Sequence, residues 1–161
     1  MINATQLRME IIRPVLKQLE PEIPYSIAAE NLLMGTCAQE SRMGSFVVQF
    51  GNGPAQGIFQ MEPDTENDIW ENYLFYRKEL NDKIMYQIGC VNNQHPNLNE
   101  MVGNLYYQVA MARVHYYRVP MAMPEEDNVE QLAHYWKIYY NTPDGKGTIE
   151  EFAENYNRYV A

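Results

Sequence analysis

This chain of 161 residues has little cysteine, little positive charge and no long apolar run. Its two cysteines, Cys37 and Cys90, cannot form a disulfide framework, and neither has a neighbour at zinc-ligand spacing. Both read as small buried hydrophobes in a reducing compartment. Against 21 acidic residues stand 12 basic ones, a net charge of −9. Such a surface repels phosphate backbones and argues against nucleic acid as a partner. No segment approaches the ~20 apolar residues of a membrane span. The stretch MINATQLRMEIIRPVLKQLE carries charges throughout and no apolar centre, so it does not read as a signal peptide. His95, His115 and His134 have no ligand spacing. There is no repeat, no low-complexity tract and no strand pattern longer than a few residues.

What is present is helical periodicity. Hydrophobic residues make up 46% of the chain, enough for a core in one domain of this length. Leu7, Ile11, Val15 and Leu19 recur every four residues, after a capping box at Asn3 and Gln6. Pro14 predicts a kink or break near Arg13, and Pro21 and Pro24 end the segment. A second helix is expected over residues 26–42, capped by Ser26 and stopped by Gly44. A short hairpin or compact loop fits residues 45–60, rich in glycine toward its end. Pro63, or Thr65 with Asp68, opens the next helix, whose buried stripe is Ile69, Trp70, Tyr73, Leu74 and Leu80. Residues 81–96 read as irregular. A capping box at Asn97 and Glu100 starts a helix to about residue 118, with Met101, Leu105, Val109 and Ala112 on its core face. Asn128 with Gln131, and Thr148 with Glu151, open the last two helices. The fold class is all-α, or nearly so, as a single domain over residues 1–161.

Within the second helix, Ala29, Leu33, Thr36, Cys37 and Glu40 share one face. A glutamate on that face is turned toward the interior. Complete burial raises a carboxyl pKa by as much as ~3–5 units. Such an acid can give a proton to a leaving group at neutral pH. The plainer account is a buried glutamate paired with an arginine, Arg42 or Arg113. The tyrosines of the two helices around residues 106–117 and 135–140 read mostly as core residues with a wet tip, as do the indoles of Trp70 and Trp136. DGKGTIEEF, residues 144–152, is half a calcium loop. With Gly147 at the sixth position, a lysine and an alanine occupy ligand positions, so no calcium site is expected. No metal or other cofactor is expected at all.

Three blocks in order carry more than any single residue. They are Gln39-Glu40-Ser41, then Gly57-Ile58-Phe59-Gln60-Met61-Glu62-Pro63, then Tyr140-Asn141-Thr142-Pro143-Asp144-Gly145. Together they resemble the lysozyme-like superfamily of soluble lytic transglycosylases and goose-type lysozymes, over about residues 26–160. Short virus-encoded wall-degrading enzymes look most similar. The first two blocks match in type and spacing. The third matches at Tyr140 and Asn141 and departs at Thr142, Pro143 and Asp144.

The resemblance implies a lysozyme-like fold and cleavage of the β-1,4 bond in peptidoglycan glycan strands. It makes Glu40 the catalytic acid. Ser41 organises the site, Gly57, Phe59 and Gln60 line the cleft, Tyr140 reaches toward the Glu40 carboxyl, and Asn141 supports that corner. An inverting hydrolase also needs a second carboxylate, and Glu62, Asp64 and Asp144 are the candidates. A lytic transglycosylase needs none. The resemblance implies an enzyme made in a host cytoplasm that reaches the wall through a lysis pore or inside a virus particle. The wall is anionic, so no strong electrostatic attraction to it is expected. Two alternatives stay open: a non-catalytic virion or assembly protein of the same fold, and a helical adaptor unrelated to sugar.

Overall fold

The computed structural model describes residues 1–88 and 100–161. These residues are mostly helical and form no sheet, as the periodicity predicts. Cys90, His95 and the expected start at Asn97 lie outside the described residues.

Helix α1 covers residues 4–18, with Asn3 accepting the Gln6 N–H at 3.1 Å as its cap. Its middle, Leu7–Ile12, is a wider π-type turn, and Arg13–Gln18 returns to α geometry. Pro14 does not break the helix. It falls at the start of the final α segment, where its missing N–H is tolerated. The segment ends before the Pro21 and Pro24 region, as expected.

Helix α2, Ile27–Ser41, is the axis of the molecule. Ser26 caps it by accepting the Ala29 N–H at 3.1 Å. Every residue from Ala28 to Ala38 is buried, so α2 has no solvent face over that span. It packs on the other long helices, most extensively on the C-terminal one. The chain leaves α2 through three consecutive left-handed residues, Arg42, Met43 and Gly44.

The expected hairpin is reduced to two isolated bridges, Val48 with Gln56 and Gln56 with Met61. Helix α3, Pro63–Asn72, starts at its proline rather than at Thr65, with Glu62 at the cap position. Residues 78–87 form α4, again ending in a π-type turn, which corrects the irregular reading at 81–87. Leu80, Ile84 and Met85 face the core there. The helix expected up to residue 118 is divided into α5, Glu100–Gly103, and α6, Leu105–Tyr117. Asn104 causes the break by accepting the Tyr107 N–H at 3.1 Å as a fresh cap. Leu105, expected in the core, is only half-buried, whereas Met101, Val109 and Ala112 are buried as expected.

Helix α7 spans residues 129–141, with Asn128 as cap and a π-type turn at Lys137–Asn141. Helix α8, Ile149–Tyr159, begins with the full capping box of Thr148 and Glu151. No described helix is long and apolar enough to cross a membrane.

Candidate active site

Three chain segments meet at the C-terminal end of α2. Glu40 and Ser41 occupy its last turn. The left-handed run at 42–44 folds the chain back against that turn. Ser41 is fully buried; its Oγ donates to the Ile58 carbonyl at 2.6 Å and accepts the Gly44 N–H at 2.8 Å. This joins the first sequence block to the second.

The second block is a tight turn fixed from behind. Gly57 has φ +76°, and a Cβ there would stand 2.5 Å from the Met101 carbonyl oxygen. The Gln108 side-chain oxygen accepts the Ile58 N–H at 2.7 Å. Gln60, also left-handed at φ 48°, donates through Nε2 to the Gly57 carbonyl at 2.8 Å.

The third block comes from the end of α7. Tyr140 donates its hydroxyl to the Phe59 carbonyl at 2.8 Å, not to the Glu40 carboxyl. Its ring meets His115 edge-on at 5.1 Å and lies 5.2 Å from Tyr116. Lys137 holds the loop that follows: its ammonium donates to Asn141 Oδ1 at 2.8 Å, Gly145 O at 2.7 Å and Gly147 O at 2.8 Å. Three acceptors around one ammonium make a firm clasp for an otherwise irregular loop.

Between these segments lies a cleft of about 770 Å³, within the range of small-molecule and oligosaccharide-sized sites. Glu40 sits in it half-buried. Its Oε1 accepts the Trp136 indole N–H at 2.8 Å. Neither Arg42 nor Arg113 pairs with it: Arg42 is exposed, and no ion pair among the described residues involves Glu40. Burial pushes the Glu40 carboxyl up to about 7, and the Trp136 bond pulls it back only in part. Burial also pushes the Tyr140 phenol well above its ordinary value, so it stays protonated. Burial, with Arg118 nearby, brings His115 down to about 4, so its ring is neutral at pH 7. Of Glu40, Tyr140 and His115, only Glu40 is poised to exchange a proton near neutrality.

Of the residues expected to line the cleft, Gln60, Tyr140 and Asn141 do so, together with Glu62 and Asp144. Ser41, Gly57 and Phe59 do not. Ser41 and Phe59 are buried behind the wall, and Gly57 is excluded by its close packing on Met101 and Gln108. Asp64, exposed on the first turn of α3, is not on the lining. No cluster of three or more His, Cys, Asp or Glu among the described residues could hold a metal.

The sequence reading missed Trp136 as the partner of Glu40. The signal was there: Trp136 precedes Tyr140 by one helical turn, so a face carrying one carries the other. It also missed Phe46 and Phe50, whose rings lie 4.5 Å apart on the cleft rim, and the clasp of Lys137. No family model, no curated protein and no solved structure matches the chain.

Proposed function

We propose that this chain cleaves the β-1,4 bond of peptidoglycan glycan strands, as a muramidase or a lytic transglycosylase, with Glu40 as general acid. One observation carries the reading. A single carboxyl without a cationic partner is held at about 7 by burial, at the wall of a cleft large enough for sugar rings. The order and spacing of the three sequence blocks point to the same chemistry.

Glycoside cleavage needs a proton on a poor leaving group and a site for an oxocarbenium-like state. Protonated Glu40 gives its proton to the glycosidic oxygen as the C1–O bond breaks. The carboxylate left behind faces the cationic ring. Where the sugar's own C6 hydroxyl attacks, Glu40 takes that hydroxyl's proton; where water attacks from the opposite face, a second carboxylate takes it. For attack by water, Glu62 and Asp144 are the carboxylates on the cleft lining. Gln60 and Asn141 offer amide groups to sugar hydroxyls, and Phe46 and Phe50 offer ring faces.

A second reading, a glycan-binding protein without turnover, draws on one feature. The third block carries Thr142, Pro143 and an exposed Asp144 where the resembling family has small residues. Wall clearing by the purified protein, set beside Glu40→Gln, decides between the two. Turnover lost in the variant with the fold intact supports the enzyme. Clearing by neither protein, with glycan still bound, supports the binder. Equal clearing by both overturns the role of Glu40. Mass spectrometry of the products then separates anhydro ends, from attack by the 6-hydroxyl, from reducing ends, from attack by water.

A further inference from the structure

A second cavity, of about 470 Å³, opens behind the cleft and takes no part in the chemistry proposed above. Its walls are aromatic and thioether: Tyr25, Tyr116, Tyr117, Tyr135, Met121 and Met123. One lining residue does not belong in such a wall. Arg113 is 4% exposed, and its Nε and Nη1 are buried without any hydrogen-bond partner. No described carboxylate forms an ion pair with it. The Tyr117 ring lies 5.3 Å from the guanidinium carbon.

None of the surrounding hydroxyls bonds its Nε or Nη1, and those of Tyr25, Tyr116 and Tyr135 are engaged elsewhere. Tyr25 donates to Glu30 at 3.0 Å, Tyr116 shares a 2.8 Å bond with Thr36, and Tyr135 donates to the Met121 carbonyl at 3.3 Å. A guanidinium does not lose its proton in a protein, so it cannot escape the cost of burial by neutralising. An uncompensated buried cation calls for an anion. The start of the 15-residue helix α2 lines the same cavity through Ser26 and Ala28 and adds its positive dipole end.

We infer that this cavity is a binding site for a small organic carboxylate with an aromatic body, its carboxylate paired with Arg113 and its ring among the tyrosines. A carboxylate matches the fork of one guanidinium through two parallel bonds. The cavity volume falls within the small-ligand range, and its apolar walls suit a flat ring. A phosphate fits less well, because the cavity offers one arginine and no second basic side chain.

Calorimetric titration of the full chain with phenylacetate and with its neutral counterpart phenylacetamide tests this. Phenylacetate should bind at least tenfold more tightly. Arg113→Met, which keeps the stem and removes the charge, should abolish that preference. Met123→Trp, which fills the cavity and leaves Arg113 in place, should abolish binding of both, and it decides the matter should the first variant not fold. Equal affinity for the two probes, no binding of either, or a preference that survives these substitutions would overturn the assignment. None of these readouts involves wall cleavage, so the result stands apart from the fate of Glu40.

Discussion

Helix α2 carries two inward-turned glutamates, and its two ends treat them in opposite ways. Near the N-terminal end, Glu30 is fully buried. Burial alone would raise its pKa, but four bonds overcome that. Arg13 donates through Nε and Nη2 at 2.9 Å each, Arg8 through Nη1 at 2.7 Å, and Tyr25 through its hydroxyl at 3.0 Å. The net effect is a carboxyl held below its ordinary range. At the C-terminal end, Glu40 touches the cleft, and desolvation holds it at about 7. Its partner is a neutral indole N–H, and among the described residues no cation forms an ion pair with it. Desolvation pushes both carboxyls up, and only at Glu30 do charged partners overcome it. Glu30 is a permanent anion that fastens α1 to α2. Glu40 is an acid with a proton to give.

The largest expected effect breaks the acid end. Glu40→Gln keeps the shape and the indole bond but removes the proton, and wall-lytic rate should fall about 10²–10⁴-fold. Circular dichroism and the unfolding midpoint should show an intact fold. At the other end, Glu30→Gln leaves two arginines facing a neutral amide. Breaking a buried pair costs about 3–5 kcal/mol. Arg8 and Arg13 retain 22% and 31% side-chain exposure, so the lower end of that range is expected. Denaturant unfolding measures it, and turnover per folded molecule should be unchanged.

Stability against pH gives the same comparison with opposite signs. The folded Glu40 value, about 7, lies above the ordinary ~4.3. Between those values the folded state holds more protons than the unfolded state, so stability falls as pH rises through that window. Glu30, held low, contributes stability that is present above the ordinary value and lost as pH falls through its folded one. His115, held at about 4, contributes the opposite slope below its ordinary value, so the Glu40 contribution is read as the difference between wild type and Glu40→Gln. That difference, taken from denaturant unfolding, should decline from pH 5 to 8 by up to about 3 kcal/mol in free energy. A difference that stays flat would assign any decline in wild type to another group.

The two ends were also unequally legible in sequence. Glu40 was found because its neighbours are local: an apolar helix face before it and a glycine-rich block shortly after. Glu30 was passed over because Arg8 and Arg13 are distant in the chain and precede the intervening prolines. Helix starts were legible at Asn3, Ser26, Asn128 and Thr148, where a side chain caps locally, but the equally local cap at Asn104 inside an expected helix was not. Residues 78–87 were not, because their apolar positions are few and their final turn is π-type. Tyr140 lies in a π-type turn at 137–141 and bonds the Phe59 carbonyl, whereas the family resemblance implied contact with the Glu40 carboxyl. A 3.6-residue period cannot register a turn that departs from it.

Trp136→Phe sharpens the acid end with a smaller effect. The indole bond lowers the Glu40 pKa, so its loss should raise that pKa further. On the proposed mechanism, activity requires the protonated acid and falls as pH rises through its pKa. The alkaline limb of the pH–rate profile should therefore move to higher pH, with the rate at pH 5 reduced only as far as the carboxyl loses its orientation. A limb that moves to lower pH would mean that the indole acts through packing, not through its N–H.

The smallest effect concerns the rim. Phe50 is 77% exposed and tilted against Phe46, so neither ring is explained by the core. An aromatic contact contributes about 1 kcal/mol beyond the area it buries. Phe50→Ala should then raise KM on glycan about fivefold, while kcat stays within about twofold and the unfolding midpoint does not move. A fall in kcat at unchanged KM would place the ring in the transition state instead, where only interactions that strengthen during bond cleavage contribute to rate. No change in either parameter would remove the loop that carries Phe46 and Phe50 from the substrate path and confine binding to the wall between Gln60 and Asn141.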